Sequence, residues 1–300
     1  MMTLLDSIGN TPLIKLGWVF IKLEYLNPSG SVKDRIARYI IDKAEKTKQL
    51  KKGYTIIEAS SGNTGIAFSM VGALKGYKVK IVMPKGLSEE RTKIIKALGA
   101  DIVSVKKLCF TCAIKKADSL ATKKVYRPNQ FSNQWNIEEH EKGMGKEILK
   151  QVDKIDCFVA GVGSGGTLIG VGKAIRKKFP KAAIVAMEPD ECSMLKDSGI
   201  GKMPVTHRLV CKKHEIEGIA DGLIAEIIQR NRDLIDNVVT IKSKDAINMT
   251  RKLATLGYFV GTSSGANYLA AQKLKNKYKN IVTLFPDRGE RYLSLNFFRK

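Results

Sequence analysis

Three stretches of this 300-residue chain gather glycine, hydroxyl and amide residues at spacings that hold anions. The first, EASSGNTG (Glu58–Gly65), follows a short apolar run and sets Ser60, Ser61, Gly62, Asn63 and Thr64 side by side. Hydroxyls, a carboxamide and backbone N–H groups at a helix start make a nest that suits a carboxylate. A plain serine N-cap would need only one of them. The second, AGVGSGGT (Ala160–Thr167), lets the backbone of Gly163, Ser164, Gly165 and Gly166 approach a phosphate, with the Thr167 hydroxyl as a further donor. Gly161, Gly163 and Gly166 also satisfy G-x-G-x-x-G, and Glu188 ends the next strand, where a ribose-binding acid would stand. A dinucleotide site and a tight turn without ligand therefore stay open beside a phosphate cup. The third cluster is GTSSGAN (Gly261–Asn267). Two anion sites on separate units fit a phosphorylated cofactor plus a carboxylic substrate better than one dinucleotide.

Lys33 stands in NPSGSVKDR (Asn27–Arg35), just before a helical segment. It reads either as a solvated charge or, buried against the anion sites, as the amine that forms an imine with an aldehyde cofactor. Spacing alone does not choose. Cys109-x-x-Cys112 and Cys211-x-x-His214 would make a zinc site only if they met across about a hundred residues, so free thiols and no metal are expected. His140 and His207 have no partner at ligand spacing.

Alternating elements must position these groups. TIIEA (Thr55–Ala59), KVKIVM (Lys78–Met83) and DIVSV (Asp101–Val105) read as strands, separated by helices over Thr64–Gly76 and from an N-cap at Ser88 through Arg91, Ile94, Ile95 and Leu98. A helix over Ala113–Thr122 follows. After a long helix-like stretch, Ile137–Gln151, a second series begins. Its strands are Cys157–Ala160, Ala182–Glu188, Val238–Ile241 and Asn280–Phe285, with helices up to about Lys178, over Lys244–Leu256 and over Gly265–Lys277. Strand–helix alternation predicts parallel sheets covered by helices, in two α/β units with a break near residues 125–145. Ligands of such sheets bind beyond the carboxyl ends of the strands.

Composition excludes other classes. The chain is 44% hydrophobic and 27% charged, an ordinary globular balance that rules out wholesale disorder. No apolar run approaches the ~18 residues of a membrane span, and MMTLLDSIGNTP lacks the pattern of a signal peptide. Five cysteines form no disulfide framework, which points to a reducing, cytoplasmic setting. Lys plus Arg is 52 against 29 Asp plus Glu, a net charge of +23. Runs such as Lys177-Lys178 and Lys212-Lys213 are short and carry no interleaved aromatics, so a solvated surface is expected rather than a nucleic-acid or membrane partner.

Taken together, the motifs resemble one family over nearly the full length: the pyridoxal-phosphate-dependent cysteine synthases, or O-acetylserine sulfhydrylases, with cystathionine β-synthase as a cousin. The matching stretches are IGNTPLIKL (Ile8–Leu16), KLEYLNPSGSVKDR (Lys22–Arg35), EASSGNTGIA (Glu58–Ala67), NQFSNQWNIEEH (Asn129–His140), GVGSGGT (Gly161–Thr167), GTSSGAN and GERYLS (Gly289–Ser294). The resemblance implies fold type II, like the tryptophan synthase β-subunit, with two three-layer α/β/α domains. Residues 1–34 with 146–300 would form the larger, cofactor-binding one, and 35–145 the smaller, mobile one.

It also implies roles. Lys33 would hold pyridoxal 5′-phosphate as an internal aldimine and move the substrate's α-proton. Gly163, Ser164, Gly165, Gly166 and Thr167 would cup the phosphate, and Asn63 would bond the pyridine 3′-oxygen. Ser60, Ser61, Gly62, Asn63, Thr64 and Gln130 would hold the amino-acid carboxylate. Ser263, in preference to Ser264, would face the pyridine nitrogen; a neutral hydroxyl there favours β-elimination and replacement through an aminoacrylate over transamination. A homodimer and a docked serine acetyltransferase tail are implied partners. An oxidoreductase using a nicotinamide and a non-catalytic binding protein are the competing classes.

Three departures stand out. The chain between Leu16 and Phe20 is shorter than the family pattern, as if a loop were missing. LCFTCA (Leu108–Ala113) replaces a glycine-rich stretch. GIADGL (Gly218–Leu223) puts Asp221 where the family carries a small apolar residue. Asp221 reads either as the cap of a following helix or as a carboxylate in the cleft that orients or deprotonates water. The second reading turns the expected activity towards L-cysteine plus water giving L-serine and hydrogen sulfide; synthesis of cysteine from O-acetylserine is the alternative.

Overall fold

Leu13–Leu16 (β1) and Val19–Lys22 (β2) are joined by Gly17 and Trp18 alone and pair antiparallel, Leu16 opposite Val19. Gly17 has φ +61°, the left-handed geometry that lets a two-residue turn close a hairpin. The short connection is thus a two-residue hairpin turn. The structure, a computed structural model, describes residues 2–107, 109–199, 211–295 and 297–298.

The chain then enters helix α1 (Lys33–Lys46), strand β3 (Thr55–Ala59), α2 (Asn63–Lys75), β4 (Lys78–Pro84), α3 (Glu89–Ala97), β5 (Asp101–Val105), α4 (Phe110–Ser119) and β6 (Val125–Tyr126). Helices α5 (Gln134–Lys142) and α6 (Met144–Gln151) lead to β7 (Cys157–Gly161), α7 (Gly166–Lys178), β8 (Ala183–Pro189) and α8 (Met194–Asp197). After the undescribed stretch come α9 (Glu226–Gln229), β9 (Asn237–Ile241), α10 (Ser243–Thr255), α11 (Thr262–Lys273) and β10 (Ile281–Leu284).

Two sheets result. One has the order β5-β4-β3-β6 and is wholly parallel; the other runs β1-β2-β10-β7-β8-β9 and is parallel except at the β1–β2 hairpin. Both are buried on both faces, the reason their strands read as near-continuous apolar runs. Along β7, Cys157 and Val159 enter one core and Phe158 and Ala160 the other. Along β3 and β4, Ile56, Val79, Ile81 and Met83 share one core, and Ile57, Ala59 and Val82 the opposite one. Period-two alternation with apolar residues on both sides gives three layers per sheet.

Some sequence boundaries shift. The stretch read as one helix from Ile137 to Gln151 is broken at Gly143 into α5 and α6. Helix α4 begins three residues earlier than expected, and α11 starts at Thr262 within the glycine–serine cluster itself. Ser88 does precede α3, but its side chain makes no capping bond.

Cysteine chemistry is corrected. Cys109 pairs with Cys112 and Cys192 with Cys211 as disulfides, leaving Cys157 buried and free. The argument from unpaired thiols to a reducing compartment therefore falls. Among the described residues no helix is long and apolar enough to cross a membrane. Lys177, Lys178, Lys212 and Lys213 are exposed, as a solvated surface requires.

Candidate active site

Lys33 is the first residue of α1 and lines a cavity that residues at the ends of both sheets enclose. The chain from Asn27 to Ser31 is tied down before it: Ser29 donates to Asp34 from both its backbone N–H and its hydroxyl, and Val32 N–H donates to Pro286. Burial lowers the Lys33 pKa, while Asp221 and Asp287 nearby pull it back up. The amine is thus readier to lose its proton than a surface lysine.

The carboxyl end of β7 and the start of α7 form the opposite wall. Gly163, Ser164, Gly165 and Thr167 line the cavity. Gly165 has φ +87°, and a Cβ there would lie 2.5 Å from the Ile228 side chain. At Gly163 a Cβ would sit 2.9 Å from the Gly218 carbonyl, and at Gly166 only 1.8 Å from Asn136 Oδ1. Gly166 is thus needed for packing behind the turn, where the Asn136 amide also donates to Ser164 Oγ at 3.1 Å. Thr167 Oγ1 lies 3.2 Å from His140 Nε2. This bare turn at a 13-residue helix start suits a phosphate on chemical grounds.

The β3–α2 turn closes a third side. Ser61, Asn63 and Thr64 line the cavity together with Gln130. Thr64 donates to Gln130 Oε1 at 2.7 Å, and Gln130 Nε2 donates to the Ala59 carbonyl. Ser60 is different. Its hydroxyl accepts from the N–H groups of Gly62 and Gly65, so it holds the turn in shape and does not line the cavity. Gly62 packs against Arg91, which itself lines the cavity. Asn63 donates to Asp287 Oδ2 at 2.6 Å and accepts from Arg291. Ser263 and Asn267 of α11 complete the lining, whereas Ser264 does not reach it.

Asp221 lines the same cavity as Lys33. The capping reading fails, because the next helix starts at Glu226 behind an Ala225 cap. Burial raises its pKa to about 6; Glu217 adds to the rise, and His214, Arg91 and Lys33 oppose it. Glu188, the acid a dinucleotide would use, is buried elsewhere. Its carboxylate accepts from the backbone of Leu195 and Lys196 and caps the turn after β8. The dinucleotide reading loses its ribose ligand.

A residue not singled out by sequence is Arg91. It is fully buried, donates to the Ser61 carbonyl and to Glu217 at 2.8 Å, and stacks 4.9 Å over Tyr292. Its place at inward helical spacing in α3 was the available signal. His207 lies outside the described residues, as does Leu108 of the LCFTCA stretch.

An amine facing a glycine-bounded helix start, with a hydroxyl and amide nest between them, matches a known sequence profile: residues 4–287 fit that of the pyridoxal-phosphate dependent enzymes. The chain belongs to that family. It is an enzyme whose cofactor is pyridoxal 5′-phosphate, and the fold is that of type II members. Cysteine synthase of Staphylococcus aureus is 42% identical, covering 96% of this chain and 94% of its own. A hydrogen sulfide-producing enzyme of Fusobacterium nucleatum has a solved structure at TM-score 0.90 and 41% identity, covering 98% of this chain and 90% of that one. The same enzyme has also been solved as an aspartate-to-asparagine variant with an α-aminoacrylate intermediate. Cysteine synthase of Entamoeba histolytica follows at TM-score 0.89 and 36% identity, covering all of this chain and 91% of that one. The chain is accordingly a β-replacement enzyme of the cysteine synthase group, acting on an amino acid.

Proposed function

We propose that this enzyme converts L-cysteine and water to L-serine and hydrogen sulfide. The observation that carries the reading is Asp221, a carboxylate on the wall of the cavity that Lys33 enters. A relative that produces hydrogen sulfide at 41% identity supports it. The relatives named cysteine synthase favour the second reading, synthesis of L-cysteine from O-acetylserine and sulfide.

Bound in the cavity, pyridoxal phosphate supplies an electron sink that lets the β-substituent leave and opens the β-carbon to a nucleophile. Gly163, Ser164, Gly165 and Thr167 would hold its phosphate with backbone and hydroxyl donors, Gly166 keeping the turn closed behind them. Asn63, oriented by Asp287 and Arg291, keeps one N–H free for the ring oxygen. Ser263, which lines the cavity, would present a neutral hydroxyl to the ring nitrogen. Ser61, Thr64 and Gln130 would hold the amino-acid carboxylate at the helix start. Lys33 would hold the cofactor and take the α-proton at Nζ, aided by its lowered pKa.

Asp221 decides the nucleophile. With a pKa near 6 it is ionised at neutral pH, yet more basic than an ordinary aspartate. It would accept a proton from water at Oδ and repel hydrosulfide. The smaller unit, residues 35–145, would close over the substrate, and the working form would be a homodimer, as the family resemblance implies. Incubation with L-cysteine alone tests the reading: serine and sulfide should appear in equal amounts, faster than cysteine forms from O-acetylserine plus sulfide. Cysteine synthesis with no serine from cysteine would hand the assignment to the second reading.

A further inference from the structure

Behind the loop that carries Asp221 lies a cluster that the β-replacement chemistry leaves unused. A 3-10 turn after β8 buries Cys192 completely, and the chain returns at Cys211, three residues before His214. The ligand atoms of these three side chains all lie within 4.8 Å of one another, the one such trio among the described residues. Sequence spacing pointed Cys211 and His214 towards the Cys109–Cys112 pair; the fold gives them Cys192 instead.

The histidine is set up as a ligand. His214 Nε2 lies 3.0 Å from the Ala220 carbonyl. A carbonyl can only accept, so Nε2 carries a proton, and in the neutral ring the lone pair is then on Nδ1. Nδ1 is buried and has no hydrogen-bond partner. A ligating histidine commonly donates its other N–H to a backbone carbonyl in this way, which fixes the tautomer. Two sulfurs and an imidazole nitrogen are the donors that zinc selects.

We propose that Cys192, Cys211 and His214 bind a zinc-type divalent ion when the two cysteines are reduced, and that disulfide and metal exclude each other. The balance is simple. Two equivalents of an external thiol reduce the Cys192–Cys211 bond and become its disulfide. The two protein thiols then bind the divalent ion and release two protons. Only three protein ligands are available, so water takes the fourth position. Cys211 and His214 also line a second cavity that Asp221 and Gly222 share, which would give that water room. Through His214 the ion would fix the Ala220 carbonyl, one residue before Asp221.

The test uses tag-free holoenzyme, reduced with dithiothreitol, freed of it by gel filtration under argon, and titrated with cobalt(II). One equivalent should develop sulfur-to-cobalt charge transfer in the near ultraviolet and tetrahedral d–d bands in the red, clear of the cofactor's absorbance. Zinc should erase them, and the oxidised protein should show none. Cys211→Ser and His214→Ala should each weaken cobalt binding at least about tenfold, with cofactor absorbance and thermal transition retained to show that the variants fold. The Cys109→Ser/Cys112→Ser double variant should bind as the parent does. Absence of d–d bands in the reduced parent would overturn the proposal. So would bands that survive both ligand substitutions, or bands lost only with the Cys109–Cys112 pair.

Discussion

Lys33 and Asp221 face one cavity but act on different protons, so their substitutions separate the two halves of the reaction. Lys33→Ala should abolish covalent cofactor attachment and turnover, because the amine is what forms the imine. Borohydride reduction followed by mass measurement checks it, and a cofactor still covalently held would refute the assignment. Asp221→Asn keeps the shape and removes the base. Serine formation should fall about 10²–10⁴-fold, while added thiols are still accepted as nucleophiles. An equal loss of both branches would make Asp221 a structural acid. The pH profile gives a second readout. Asp221 titrates near pH 6, and only its ionised form accepts a proton, so serine formation should rise through that pH in the parent. The residual rate of the asparagine variant should lack that limb. Stability runs the other way: a carboxyl whose folded pKa is raised favours the fold while protonated and loses that contribution as pH rises through about 6.

Asn63, Gly163, Gly165 and Thr167 were legible as anion-site candidates because each belongs to a local glycine, hydroxyl and amide pattern, whereas Lys33 and Asp221 stood out only through the family resemblance; all six line the cavity. Arg91, Asp287 and Arg291 were not singled out, since the bonds Arg91–Glu217, Asp287–Asn63 and Arg291–Asn63 join residues more than 100 positions apart.

Elements show the same division. The βαβ alternation was readable because both sheets are buried on both faces and their strands are bounded by glycine and proline. The β1–β2 hairpin was not, because its strands are only four residues long and Gly17-Trp18 lacks the Asn-Gly or Asp-Gly pair that marks a hairpin most strongly. Pairing of Cys192 with Cys211 depends on the turn after β8, which spacing cannot show. The start of α7 offers the sharpest element-scale prediction. Gly165→Leu forces a side chain onto a left-handed residue and into Ile228, 2.5 Å from the new Cβ. The turn must open, and the affinity for pyridoxal phosphate should fall by about two orders of magnitude or more, equivalent to roughly 3 kcal/mol. Absorbance titration of the apoprotein measures it, with circular dichroism to show that the helices persist. Unchanged affinity would place the phosphate elsewhere.

At the scale of the whole molecule, a buried ion network ties the proposed larger and smaller units together. Arg35, at the start of the smaller unit, bonds Glu24 at 2.6 Å and Glu147 at 2.7 Å, and Lys22 reaches Glu147 at 2.8 Å. Glu139 of α5 stands 3.6 Å from the same guanidinium. Burial pushes the Glu147 pKa up, but Arg35, Lys22 and the Asn10 N–H outweigh it and hold the carboxylate at about 2. A depressed folded pKa gives stability that is full above the unfolded value near 4.5 and is lost as pH falls towards 2. Glu147→Gln should therefore cost about 1–3 kcal/mol at pH 7, with screening at its solvent-facing edge keeping the loss below the full linkage value. The difference between parent and variant should shrink to roughly half or less by pH 3, because the parent carboxylate has by then lost most of its advantage. Denaturant unfolding of both proteins at the two pH values decides it. A gap of the same size at pH 3 would mean that Glu147 acts through packing alone, and the charge network would not be what joins the two units.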